Sequence, residues 1–537
     1  MTSPYMTLEG VSCLLPDGRT LFSELNEHFD ARHTGLVGRN GIGKSVLARI
    51  LAGEIAPSSG TCLRSGVVYY LAQQVSVPDD ATVADLAGVG SALNALTRIE
   101  AGSAAVADFE ALGERWDIRQ RLQQALEHDG LAYVDAMTPA SQLSGGEAMR
   151  VALIGAALAH ADFLILDEPT NHLDQPSRQA LIERLQRWPG GVLVISHDRQ
   201  LLETMEAIVA LTSHGLRRYG GSYTFYAQRQ AQERDAAHQQ LEQCRVMRKR
   251  EERVLQQQRE RQERRQGRGR REGKSANQAR VLLDRQKARS EGASGRLQQQ
   301  HRQAREQLAR REREAAQQVE HEAAIHLHAL PQSSATHREV ARLEQLVLPF
   351  VSHSTCLMTL SMTGQQRIGV TGPNGCGKST LLRVMAGHLQ PLGGRCCVTA
   401  NRAWLDQRLA SLAPECSVLA HMQAVSRMTE GEIRMRLAQL DLEASKIMMP
   451  SGALSGGERL KAALAGVLYA DPPPPLLLLD EPGNHLDIES LEALERMLRA
   501  YQGALMVVSH DAAFLDSLNL THALMANETG WQLKPWP

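Results

Sequence analysis

"GRNGIGKS", residues 38–45, decides the fold, and it does so twice, because "GPNGCGKS" returns at 372–379. Both copies keep the spacing G-x-x-x-x-G-K-S. The first follows the apolar run "HTGLVG" and opens the helical pattern "KSVLARILAGE". A strand turning tightly into a helix is the setting in which such a loop holds phosphate. Glycines let backbone N–H groups approach phosphate oxygens, and the helix N-terminus adds a favourable dipole. The expected cradle is Gly38, Asn40, Gly41 and Gly43 in the first half. In the second it is Gly372, Asn374, Gly375 and Gly377, followed by Thr380. Lys44 and Lys378 are expected to reach the β- and γ-phosphates, and the hydroxyls of Ser45 and Ser379 to ligate Mg2+.

Outward from these loops the whole chain repeats itself. "LSGGE" stands at 143–147 and again at 454–458. "LILDEPTNHLD" at 164–174 returns as "LLLDEPGNHLD" at 477–487, and "VISHD" at 194–198 as "VVSHD" at 507–511. Lys44 and Lys378 lie 334 residues apart, whereas Ser144 and Ser455 lie 311 apart, so the first half has gained 23 residues within 74–143. Runs such as "FLILD" and "GVLVIS" read as buried strands, and "EAMRVALIGAALAHA" as a helix, so each half is α/β.

Each "DE" pair stands at the end of such a strand. Asp167 and Asp480 are placed to hold Mg2+ through water, and Glu168 and Glu481 to polarise an attacking water. His197 and His510 follow a second apolar strand and are candidates for contact with the terminal phosphate. Ser144 and Ser455, each before two glycines, read on their own as helix N-caps.

Composition narrows the partner. The 537 residues are too many for one core, and no run of about 18 apolar residues offers a membrane span. The start, "MTSPYMTLEG", lacks a signal pattern, and eight scattered cysteines fit a reduced, cytoplasmic protein. The net charge of −1 conceals an asymmetry: residues 228–320 hold 25 Lys+Arg against 14 Asp+Glu, a net of +11 between bodies that sum to −12. This segment is rich in Gln, Arg, Glu and Ala and has no Phe, Tyr or Trp. It reads as two long polar helices meeting near Gly267, Gly269 and Gly273, with a second weak point at Gly292 and Gly295. A basic segment between acidic bodies points to a polyanion. Its densest part, "RRQGRGRREGKSANQAR" at 264–280, presents Arg264, Arg265, Arg268, Arg270, Arg271, Lys274 and Arg280. Without aromatics it would meet such a partner by charge and shape, not by base stacking.

The ordered set of phosphate loop, Gln, LSGGE, hydrophobic-DE and SHD resembles the ATP-binding cassette ATPases, over both halves. The resemblance implies that the LSGG of one cassette closes over ATP bound by the other. Ser455, Gly456 and Gly457 would cap the ATP at Lys44, and Ser144, Gly145 and Gly146 the one at Lys378. Gln73 and Gln407 match the family's Q-loop, which also serves the metal, and Asp174 and Asp487 its D-loop. The aromatic that the family stacks on adenine would be Phe350 in the second half. "SCLLPDG" in the first half offers only Leu14 or Leu15. Gly483 stands where the first half has Thr170.

Two cassettes on one chain, "DEPTNHLD", no membrane domain and a charged helical linker together resemble the ABC-F family. The resemblance implies an ATPase with ATP and Mg2+ as cofactors. It implies a monomer whose cassettes dimerise within the chain, and the ribosome as partner: 23S rRNA and P-site tRNA for the linker tip, the E-site region for an arm inserted within 74–143. The expected domains are a first cassette at 1–227, a basic linker at 228–325 with its tip near 264–280, and a second cassette at 326–537. A translation factor and an antibiotic-resistance ribosome-protection factor are both compatible. A transporter motor would need a membrane subunit. A DNA-repair ATPase would carry its coil inside one cassette, not between two.

Overall fold

In the computed structural model the described residues are 4–73, 81–171, 173–275, 299, 302–303, 306–313, 338–351, 353–406, 412–440, 442–484, 486–527 and 529–536. Gln407 and Arg280, and the weak point at Gly292 and Gly295, lie outside them.

The apolar runs form the inner strands of two matching sheets. The first sheet orders Val68–Leu71, Phe163–Asp167, Gly191–Ile195, His33–Gly38, Ala207–Thr212 and Gly215–Gly220; only the last is antiparallel to its neighbour. The second orders Arg402–Leu405, Leu476–Asp480, Ala504–Val508, Arg367–Thr371, His522–Asn527 and Gly530–Pro535 in the same pattern. Every residue of Phe163–Asp167, Gly191–Ile195, Leu476–Asp480 and Ala504–Val508 is buried. That is why these strands read as continuous apolar runs and not as alternating ones. Each half adds a three-stranded antiparallel sheet, centred on Tyr5–Leu14 in the first and Glu339–Val347 in the second. The glycine-loop helices run Lys44–Ala52 and Lys378–Ala386.

The surplus of the first half lies in a helical stretch. Isolated bridges pair Thr82 with Pro139 and Ser417 with Pro450, bracketing matching segments. The first bracket holds four α-helices, Val83–Leu86, Gly90–Glu100, Val106–Leu112 and Ile118–His128. The second holds three, Val418–Val425, Glu430–Gln439 and Ala444–Ile447.

Met1–Tyr226 and Ile325–Pro537 form one compact unit, and Ala227–Ala324 another. Within the first unit the two halves touch directly. Arg199 Nη1 lies 2.8 Å from Glu495 Oε1, with both side chains largely buried. Within the second unit, Arg248 Nη1 lies 2.6 Å from Glu312 Oε2, so the returning chain at 306–313 runs beside the outgoing helix.

Among the described residues the outgoing helix includes Gly267, Gly269 and Gly273, and the turn expected beside them falls on residues outside those described. The helix runs unbroken as Tyr223–Ser275 over 53 residues. A glycine inside a helix costs about 1 kcal/mol relative to alanine, and the Arg, Glu and Gln around it are good helix formers. Arg264, Arg265, Arg268, Arg270, Arg271 and Lys274 all lie on this last part of the helix, with Arg264 exposed.

Candidate nucleotide sites

The strand His33–Gly38 ends in the first glycine loop, and Arg367–Thr371 leads into the second. Gly43 and Gly377, the N-caps, sit at φ 106° and 99°. A Cβ on them would come within 2.6 Å of Leu21 Cδ2 and 2.7 Å of Val351 Cγ2, so only glycine fits. Gly41 and Gly375 sit at φ 79° and 78° with open space where a Cβ would stand, leaving the loop backbone approachable. Lys44 Nζ donates to the Gly38 and Arg39 carbonyls at 2.6 and 3.2 Å. Lys378 Nζ donates to Gly372 and Pro373 at 2.8 Å each. Both ammonium groups are buried, and desolvation lowers their pKa. An anion in the cradle would reverse that penalty.

Below each loop lies an all-oxygen donor pair. Ser379 Oγ donates to Asp480 Oδ1 at 3.0 Å, and Ser45 bonds to Asp167 in the same way. Burial pushes both carboxyls up. A hydroxyl beside an under-compensated carboxylate suits a hard divalent cation such as Mg2+.

Parallel register sets the acid and the histidine side by side. Asp167 pairs with Ile195 and Asp480 with Val508. The next residues, Glu168 and Glu481, turn to φ 50° and 48° and donate their N–H groups to Ile195 O and Val508 O at 2.8 and 3.0 Å. A left-handed glutamate is unfavourable, and such residues gather at functional sites. His197 Nε2 stands 3.4 Å from Glu168 Oε1, and His510 Nε2 stands 3.6 Å from Glu481 Oε1. All four side chains are largely buried. Burial pushes Glu168 and Glu481 up to about 8. It pushes His197 down to about 3 and His510 down to about 4. Glu168 Oε1, Glu481 Oε1 and both His197 nitrogens have no hydrogen-bond partner. Buried polar atoms left this way call for a ligand.

Each loop is also touched by the opposite half. Asn40 N donates to Asp487 Oδ2 at 2.9 Å, and Asn374 N donates to Asp174 Oδ2 at 3.3 Å. The same two aspartates cap their own helices through Oδ1, at Ser490 N and Ser177 N. A cavity of about 400 Å3 above Lys378 is lined by Asn374, Gly375, Gly377, Ser379, Thr380, Glu481, His510 and Phe350 from the second half, and by Leu173 and Arg178 from the first. Phe350 stands 90% exposed at its rim, while Leu14 is its half-exposed counterpart in the first half. A smaller cavity between the halves is lined by both Glu168 and Glu481.

Ser144 and Ser455 act as N-caps. Each accepts from the glutamate three residues on, Glu147 N and Glu458 N, at 3.4 Å. Both serines are exposed, and Ser144 is not among the residues around the Lys378 cavity. The contact brought across the interface is therefore that of Asp174 and Asp487. Gln73 is exposed just beyond Val68–Leu71. Two residues were not singled out from sequence. Tyr70 donates to Asp167 Oδ2 at 3.4 Å, and Arg178 lines both cavities. Superposing the two repeats would have found Arg178, since its counterpart is Leu491.

Two phosphate loops, each with an acid at the adjoining strand end and each touched by the other half's aspartate, define a paired nucleotide-binding ATPase. The family model described as "ABC transporter" matches residues 28–171 and 357–484. The tylosin resistance ATP-binding protein TlrC of Streptomyces fradiae is 32% identical over 95% of each chain. The energy-dependent translational throttle protein EttA of Mycobacterium tuberculosis is 31% identical over 93% of this chain and 88% of its own. The ribosome protection protein VmlR of Bacillus subtilis is 27% identical over 97% and 87%. Among solved structures, the archaeal ribosome recycling factor aABCE1 shares the fold, with a TM-score of 0.56 at 17% identity over 98% of this chain and 89% of that one. The chain belongs to the ABC-F family and is an ATPase. Among the described residues no helix is long and apolar enough to cross a membrane.

Proposed function

We propose that this protein acts on the ribosome: ATP-driven closure of its cassettes aims the basic linker at rRNA and P-site tRNA to regulate or rescue translation. The observation that carries this reading is the reciprocal pair of contacts, Asp487 on the Asn40 loop and Asp174 on the Asn374 loop. Each nucleotide then lies where both cassettes meet, so loading or losing a γ-phosphate biases closure. The relatives named for a translational throttle and for ribosome protection support the target. So does the net charge of +11 over residues 228–320.

In this reading the domains are 1–227, 228–325 and 326–537. The two glycine loops with Lys44 and Lys378 bind the phosphates. Phe350 stacks on adenine at the second site. Ser144 and Ser455, with Gly145, Gly146, Gly456 and Gly457, complete the opposite sites on closure. Ser45, Gln73 and Asp167, and Ser379, Gln407 and Asp480, would hold Mg2+, which when bound offsets phosphate charge. Glu168 and Glu481 take a proton from the attacking water, with His197 and His510 beside them orienting the terminal phosphate.

The base must be ionised to work, and burial holds these carboxyls up to about 8. At pH 7 most molecules carry them protonated. Steady-state kcat/KM for ATP is therefore expected to climb about tenfold per pH unit below that value and level off above it. A flat profile between pH 6.5 and 9 would contradict the assignment.

The functional reading itself is tested by sedimentation. The protein is expected to travel with ribosomes in ATP and to leave them in ADP. ATPase activity stimulated by duplex DNA, with no ribosome association, would overturn it. A second reading, protection against an antibiotic, is favoured by the relative named for tylosin resistance. Expression in a tylosin-sensitive host separates the two: a raised inhibitory concentration selects protection, an unchanged one the translation factor.

A further inference from the structure

The two ATP sites differ in the charge of one buried side chain. Four residues beyond Asp174 the first half carries Arg178; four beyond Asp487 the second carries Leu491. Both side chains are buried at the interface between the halves. Arg178 lines the cavity that contains Lys378, Glu481 and His510, all from the other half. Leu491 faces only the smaller cavity, which it shares with Glu168, His197, Glu481 and Arg178 itself, and does not reach the one around Lys378. We propose that Arg178 is a positioning residue supplied in trans to the second ATP site, and that the two sites therefore hydrolyse at unequal rates. This rests on Glu168 and Glu481 being the bases proposed above.

Phosphoryl transfer develops negative charge on the phosphate oxygens, and a preorganised cation in a site screened from water offsets it more strongly than one in solvent. Arg178 is ion-paired with a carboxylate of its own half: its Nε lies 3.2 Å from Asp198 Oδ2, without hydrogen-bond alignment, both side chains being buried. Asp198 is itself fixed, because Oδ1 accepts from Gln200 N and Leu201 N at the start of the next helix. The guanidinium is thus ion-paired within the first half while it reaches the Lys378 cavity of the second. It lowers the proton affinity of both Glu481 and His510. On Glu168 the largest influences are burial, which raises its proton affinity, and Lys44, which lowers it.

The test is single-turnover hydrolysis of bound ATP in two full-length proteins, Glu168→Gln reporting the second site and Glu481→Gln the first. Into each goes Arg178→Leu, the residue the chain itself carries at the matching position, or Arg178→Lys, which keeps a cation beside Asp198. Arg178→Leu is expected to lower the ratio of second-site to first-site rate by about tenfold or more, with ATP affinity at the second site changed less than the rate. Arg178→Lys should recover part of that ratio. A loss shared equally by both sites, no loss at either, or no recovery with lysine overturns the proposal. If neither glutamate substitution slows its own site relative to wild type, the assignment of the bases has failed instead.

Discussion

The double substitution Glu168→Gln with Glu481→Gln is expected to stop turnover and lock the protein on ribosomes whenever ATP is present. Glutamine keeps the size and shape of each side chain but cannot accept a proton. Loss of a general base costs about 10²–10⁴ in rate. Both glutamates are held in one geometry, by the N–H bonds to Ile195 O and Val508 O and by left-handed backbone. The substitution should therefore remove chemistry without disturbing the loops. Nucleotide binding persists, because Lys44, Lys378 and the glycine cradles are untouched. If closure lasts until hydrolysis, its lifetime lengthens by the same factor, and ribosome occupancy in ATP rises toward saturation. Sedimentation of the double variant with ribosomes in ATP is the measurement. Occupancy equal to that of wild type would break the link between hydrolysis and release.

Neutralising Arg268, Arg270, Arg271 and Lys274 to glutamine is expected to have the second large effect, on affinity and on its salt dependence. Each phosphate contact contributes about 0.7–0.9 to the log–log salt slope. Removing four would make the slope shallower by about 3. At 0.1 M salt that corresponds to roughly a 10³-fold weaker complex, converging with wild type near 1 M. Ribosome binding by the ATP-locked protein, measured from 0.05 to 0.5 M salt, provides the check. An unchanged slope would mean that these cations are a solvated face and that the segment is a spacer.

The cassette chemistry was legible in sequence because each function needs a specific residue at a specific distance along one strand–turn–helix. The glycine loops, the strand-end acids and the SHD histidines obey that constraint, and the structure gathers them around two cradles. Ser144 and Ser455 were ambiguous, since a helix cap and a phosphate contact use the same hydroxyl. The local requirement, a capping box with Glu147 and Glu458, is the one satisfied here. Gly267, Gly269 and Gly273 are carried inside the long linker helix, because a glycine's helical cost is small beside the preference of its neighbours. Arg178 escaped notice because a lone arginine on an amphipathic helix reads as a surface charge.

By itself, then, the sequence determined the twin α/β cassettes, the loop lysines, the acid–histidine pairs and a cationic segment of net +11. These follow from periodicity, spacing and charge, which are local properties. Only tertiary structure decided what crosses between the halves: Asp487 to Asn40, Asp174 to Asn374, Arg199 to Glu495, and Arg178 into the second site. Such contacts join residues hundreds of positions apart, and no periodicity within either half encodes them. They arise when two nearly equal folds meet, so that each site takes side chains from both halves.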